Sequence, residues 1–274
     1  MQPELTLPKA LLGSTFRKTL FDHRRSISWW ALAVVGVVVL YSGFWPTVRD
    51  NSHQFSTYLE SLPEAIRNLI GSDYATPAGY LRSELFSVLG PVLLLVFAIG
   101  LGSRSIAGEE EAGTLDLLLS TPVARRRVYL DTFRAMVGLV AVLAALIWLA
   151  VEVLGRPFDL TVPMVNLTAS VVNLFLLAVS FGALAQAVGA GTGSKGMAIG
   201  VAGGAAFVSF LVNTLAVSVD ALDPIDLLSP FRYYSGHQPI QTGFHLLDVI
   251  VLAGIAMLWV VLGLAAFERR DLVA

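Results

Sequence analysis

Residues Gly108–Val128 read GEEEAGTLDLLLSTPVARRRV, a polar, patterned stretch between two almost wholly apolar runs, 85–106 and 129–154. Each run meets the roughly 20 residues needed to cross a hydrocarbon core of about 30 Å. The stretch therefore reads as a loop joining two membrane spans. The rest of the chain agrees: 55% of its 274 residues are hydrophobic and 14% charged, with mean hydropathy +0.73. These values lie outside the soluble range.

Four further spans follow, at 27–45, 165–188, 197–219 and 246–267. The first is bracketed by Trp29 and Trp30 at one end and by Tyr41, Phe44 and Trp45 at the other, as interfacial aromatics should be. Pro46 is expected to end it. It starts behind a long charged lead without a small-residue cleavage site, so it reads as a retained helix rather than a signal peptide. That lead, residues 1–26, carries Leu12, Phe16 and Leu20 at four-residue spacing among Arg17, Lys18, Arg24 and Arg25. The pattern fits a basic amphipathic helix on the membrane surface, and equally a plain charged flank. Residues 46–84 and 220–245 are too polar to span and read as external segments. The first of these has helical apolar spacing around Tyr58, Leu62, Ala65 and Leu69. Pro91 either kinks the second span or sits in its first turn. Residues Gly189–Gly196, GAGTGSKG, read as a loop, and Glu152 and Arg156 as an i,i+4 pair at the end of the third span.

Lysine and arginine set the orientation. With the N-terminus inside, the internal segments hold 13 of the 18 basic residues and the external ones 5, namely Arg49, Arg67, Arg82, Arg156 and Arg232. Six spans with both termini cytoplasmic is the topology this bias favours. It places Gly108–Val128, residues 107–128 in all, on the cytoplasmic side.

Several chemistries lack their residues. A net charge of −2 and a pI near 6.1 offer no basic stripe to a nucleic acid. There is no cysteine, which removes disulfides and thiolate sites. No GxxxxGK[ST] phosphate loop and no HExxH pair occur, and His23, His53, His237 and His245 all fall outside the spans. No catalytic residue and no metal site are expected. An ion-driven carrier usually places ionisable groups at mid-bilayer, where each costs about 2.5–3.5 kcal/mol on insertion scales. These spans carry none centrally, so the chain lacks an energy source of its own.

Inside the quoted stretch, Gly113 and Thr114 can break the extension of the second span and cap a short new helix, which Pro122 closes. Leu115, Leu118 and Leu119 then share one face, away from Asp116 and Ser120. Such a face needs an apolar surface, either a groove on a partner protein or the membrane interface. Glu109, Glu110 and Glu111 read as a solvated run, and Arg125–Arg127 as positive-inside anchors. Their opposite signs also permit salt bridges within the loop or to a partner.

The order E-E-E-x-G-T-L-x-L-L-L-S-x-P-V-x-R at Glu109–Arg125 resembles the cytoplasmic signature of type-2 ATP-binding-cassette (ABC) permeases, the membrane subunits of ABC exporters. Leu228–Tyr234, LSPFRYY, is similar to that family's external segment before the last helix, and the basic lead resembles its interfacial helix. The family often has a glycine-lysine pair a few residues into the third span, where this chain has Leu130 and Asp131. The resemblance implies an all-α fold of six transmembrane helices with an N-terminal interfacial helix. It also implies a coupling helix at Thr114–Thr121 that docks into a separate ATPase.

The coupling residues would be Glu109, Glu110, Glu111, Gly113, Thr114, Leu115, Leu118, Leu119, Pro122 and Arg125. The implied partners are two ABC ATPase copies, which bind the ATP and Mg, and a second permease copy in a homodimer or heterodimer. The chain itself would hold no cofactor, and a prokaryotic plasma membrane is the expected location. Gly196, Gly200 and Gly204 form a small-xxx-small stripe suited to close helix approach, between copies or within one. Asn173 and Asn213 are the most obvious polar groups within spans, candidates either for the substrate pathway or for helix–helix hydrogen bonds. Spans rich in Ala, Val, Leu and Phe suit a hydrophobic or amphiphilic cargo. The alternatives are a non-transporting anchor or regulator of an ATPase, and a secondary transporter.

Overall fold

A computed structural model describes residues 24–52, 54, 57, 61, 73–114, 124–216 and 219–270. The basic lead before Arg24, the residues that suggested an external helix (Tyr58, Leu62, Ala65 and Leu69), and Leu115, Leu118, Leu119 and Pro122 lie outside the described residues. Among those described, all regular structure is helical, and six helices are long and apolar enough to cross a membrane. They are α1 (Arg24–Asp50), α2 (Pro77–Glu111), α3 (Arg125–Gly155), α4 (Met164–Thr192), α5 (Lys195–Ala216) and α9 (Leu246–Arg269). Among the described residues a 3₁₀ turn (Asp220–Leu222) and three short α-helices separate α5 from α9: α6 (Asp223–Asp226), α7 (Pro230–Ser235) and α8 (Pro239–Thr242).

The most enclosed span is α4, which packs on α2, α3, α5 and α9; α1 lies chiefly along α3. Glycine sets how closely these helices approach. A Cβ on Gly102 of α2 would collide with the Gly182 carbonyl of α4. A Cβ on Gly263 of α9 would lie 2.6 Å from Ala187 Cα of α4 and strike the Tyr129 hydroxyl of α3. The close approaches within the subunit are thus made at Gly102, Gly182 and Gly263, outside the 196–200–204 stripe.

Three sequence expectations shift. Pro46 does not end the first helix but lies inside it, four residues before Asp50. A proline near a helix end costs one backbone bond, to the Ser42 carbonyl four residues back. The neighbouring turn is held from outside: the Tyr80 hydroxyl donates to the Tyr41 carbonyl at 3.0 Å, and the Tyr80 and Trp45 rings pack at 5.2 Å. The helix of the second span is longer than 85–106, because Thr76 caps its start through the Gly79 N–H and the chain then runs on through two π-helical stretches, Arg82–Leu89 and Arg104–Gly108. The Gly189–Gly196 loop shrinks to Gly193 and Ser194: α4 continues to Thr192, and the αL residue Gly193 returns its N–H to the Gly189 carbonyl. The expected Glu152–Arg156 pair is formed.

Candidate functional site

The ends of α2, α3, α4, α5 and α9 converge around Thr114 and Arg125, on either side of residues 115–123. Helix α2 stops in a turn that only glycine takes easily: Gly113 has φ +67°. The Gly113 N–H bonds to the Glu110 carbonyl and the Thr114 N–H to the Glu109 carbonyl, both at 2.9 Å. This six-to-one and five-to-two pairing is a Schellman cap. The Thr114 hydroxyl folds back onto Glu109, donating to its Oε2 at 2.7 Å.

The acidic run is not simply solvated. Glu110 takes Arg270, 160 residues away, in a two-pronged pair: Nη2 to Oε1 at 2.5 Å and Nη1 to Oε2 at 2.8 Å. The two side chains are 27% and 24% exposed. Parallel charge-assisted bonds of this kind are the strong class, worth about 1.5–3 kcal/mol each where water is partly excluded. Arg270 also donates to the Ala190 carbonyl, and its own carbonyl accepts from Arg125 Nη1 at 2.8 Å. Glu111 Oε1 accepts the Lys195 N–H at 2.8 Å, satisfying a free donor at the start of α5. Gly193 makes room for the knot, since a Cβ there would meet Arg270 Nη2 and lie 2.7 Å from Glu110 Oε1. Both flanks of the 115–123 segment are therefore tied to α9, and the α2 flank also to α5.

The partner of Glu110 is therefore neither Arg125 nor its neighbours across the loop. Arg125 belongs to the same knot, while Arg127 and Arg134 lie within 4 Å of Asp131 on their own helix. Arg270, Gly193 and Lys195 were not among the expected site residues. The ERRD ending carried the charge, but nothing local shows that it folds back onto an acid 160 residues earlier.

On the opposite face, α6–α8 are inserted among the helices. Ser229 caps α7 through the Phe231 N–H and donates to the Ser209 carbonyl of α5. Buried Asp226 accepts from Arg232 at 3.0 Å and from Asn213 Nδ2 at 3.1 Å. Asn173 Nδ2 lies 3.4 and 3.5 Å from the carbonyls of Tyr233 and Tyr234. Asn173 thus fastens the LSPFRYY segment to α4, and Asn213 of α5 reaches it through Asp226. Asn173 Oδ1 has no partner among the described residues.

Tyr234 closes a second gap. In the π stretch the Gly90 N–H reaches back five residues to the Leu85 carbonyl. In that register residue 91 should bond the Phe86 carbonyl, but Pro91 has no N–H. The Tyr234 hydroxyl supplies the donor, at 2.5 Å from Phe86 O. Burial pushes the Tyr234 phenol above its usual range, which keeps the hydroxyl protonated for that role. Gly200 and Gly204, in contrast, are exposed and meet nothing within 4 Å, while Ala198, Ala202 and Ala206 form the buried side of α5.

A family model described as ABC-2 family transporter protein matches residues 15–272, nearly the whole chain. The chain belongs to that family. No curated protein matches it. As an ABC-2 permease it is the membrane subunit of an ABC transporter, a multi-pass protein that works with an ABC ATPase. The permease face that carries Glu109–Thr114 and Arg125 is the one whose charged groups are knotted together by Arg270.

Proposed function

We propose that this permease is the membrane subunit of an exporter that moves a hydrophobic or amphiphilic compound, such as a drug or a lipid-like molecule, out of a prokaryotic cytoplasm across the plasma membrane. Two copies pair around the pathway, each served by one of two ATPases that bind the ATP and Mg. The 107–128 segment rests on the ATPase, with Leu115, Leu118 and Leu119 buried in its cleft. The Lys/Arg bias supports a cytoplasmic position for that face.

The observation that carries the reading is the Glu110–Arg270 knot. ATPase closure pushes the segment, and because α2, α3, α5 and α9 are joined at its flanks, they move together. Helix α1, which lies chiefly along α3, is left less directly driven. The exposed stripe at Gly200 and Gly204 leaves α5 free to approach a second copy. The absence of charge from the middle of the described spans supports an uncharged or amphiphilic cargo.

The test is reconstitution. The permease and its ATPase are purified together and placed in lipid vesicles with fluorescent amphiphiles. ATP-dependent movement supports export, and charge reversal at Arg270 (Arg270→Glu) should then leave ATPase binding largely intact while cutting transport by about 10-fold or more, as expected for loss of roughly 1.5–3 kcal/mol of coupling. Stable co-purification with ATP hydrolysis but no movement of any amphiphile would favour an anchoring or regulatory role.

A further inference from the structure

The turn between α7 and α9 gathers three groups that the transport reading does not use. Asp248, in the first turn of α9, is 1% exposed. Its carboxylate oxygens lie 3.1 and 3.0 Å from the Nδ1 of His237, and Oδ1 lies 3.4 Å from the Nδ1 of His245. The two imidazoles stack at 3.9 Å with 17° between their planes. All three ligand atoms lie within 4.8 Å of one another. No arginine or lysine among the described residues pairs with Asp248; its ion-pair partners there are the two histidines.

A buried carboxylate whose partners carry no fixed charge has an unmet demand for positive charge. The dipole at the start of α9 meets it in part. Both imidazoles turn the same nitrogen toward it, and their side chains are 50% and 44% exposed, so an ion from water can reach them. Zinc bonds of about 2.0–2.1 Å at tetrahedral angles separate ligand atoms by about 3.3 Å, close to the 3.0 and 3.4 Å found here. Two imidazole nitrogens and one carboxylate oxygen suit a borderline transition ion rather than calcium or magnesium. The surroundings hold His237 in place. The Thr242 hydroxyl donates to the His237 carbonyl at 2.6 Å. The next residue, Gln238, takes φ +49° and accepts from Arg82 at 3.0 Å.

We propose that His237, His245 and Asp248 bind one divalent transition-metal cation of the zinc type, on the membrane face opposite the Glu109–Arg125 segment. Each imidazole binds through Nδ1 as the neutral tautomer with its single ring proton on Nε2, so binding releases a proton to water only from an imidazole that was charged beforehand. Three protein ligands leave a fourth position open to water or an external ligand. The ion links the α7–α8 turn to α9 and so stiffens the external segment.

The test uses the full permease, purified on a tag without histidines, stripped with a chelator and titrated with Zn²⁺ by calorimetry. Co²⁺ absorption reads the coordination geometry. One ion per chain is expected, with tetrahedral cobalt bands. His237→Ala and His245→Ala should each weaken Zn²⁺ binding by more than about 10-fold. Both histidines are half-exposed, so these variants should fold, and far-UV circular dichroism checks it. The double variant keeps His23 and His53 and measures their contribution. Absence of saturable binding in the wild type, or equal binding in the double variant, would overturn the proposal. The assay needs no ATPase or cargo, so its outcome is separate from that of the transport test.

Discussion

Replacing Tyr234 with phenylalanine removes one hydroxyl and tests whether α7 repairs the gap that Pro91 opens in α2. The ring is 3% exposed and stands edge-on to Phe231 at 6.1 Å, so Tyr234→Phe keeps the packing and loses only the donor. The Phe86 carbonyl then stays buried without its side-chain donor, and leaving a buried acceptor unsatisfied costs about 1–3 kcal/mol. Tyr233→Phe is the control: its hydroxyl donates to the Leu227 carbonyl at 2.9 Å, but the bond is exposed and its loss should cost less than about 0.5 kcal/mol. Restoring an N–H by Pro91→Ala gives Phe86 a backbone donor and should shrink the cost of Tyr234→Phe. Denaturant unfolding in detergent micelles would measure the four-member cycle, read as a coupling energy. A cost for Tyr234→Phe that is the same with proline or alanine at position 91 would refute the argument.

Two glycines give further predictions. Gly193→Ala forces a side chain into αL, at about 1–2 kcal/mol, and pushes it into the Glu110–Arg270 pair; it should lower unfolding stability and depress ATP-driven transport more than ATPase binding. Gly263→Ala places a methyl against Ala187 and the Tyr129 hydroxyl. Overpacking of this kind costs about 1–3 kcal/mol, and a thermal melt should show it while Gly254→Ala on the same helix, facing open space, stays near wild type.

The spans were legible because a bilayer imposes about 20 apolar residues on each crossing. Their ends were not, because helices continue into polar sequence wherever caps hold them. Thr76 extends α2 backward, Gly113 stops it two residues beyond Glu111, and Pro46 lies inside α1 beside a turn held by a hydrogen bond and ring packing from Tyr80. Gly113 was readable as a stop signal, since its need for positive φ is local. The partners of Glu110 and Glu111 were not, because Arg270 and Lys195 lie far along the chain and only the bundle brings them together. Residues 220–245 look external by polarity, yet Phe231 and Tyr234 are buried. Two of their polar side chains, Tyr234 and Asp226, are spent in bonds to α2 and α5. The two histidines show the same limit: eight residues separate His237 from His245, and only the fold stacks their rings.

The central claim is that residues 107–128 pass work between a separate ATPase and this permease. Leu118→Asp tests it most directly, by placing a charge on the apolar face proposed to enter the ATPase. The variant permease is co-expressed with its ATPase, extracted in mild detergent and purified through a tag on the permease. The account predicts normal membrane insertion and yield, with the ATPase lost from the purified complex. Full retention of the ATPase by correctly inserted Leu118→Asp would contradict it.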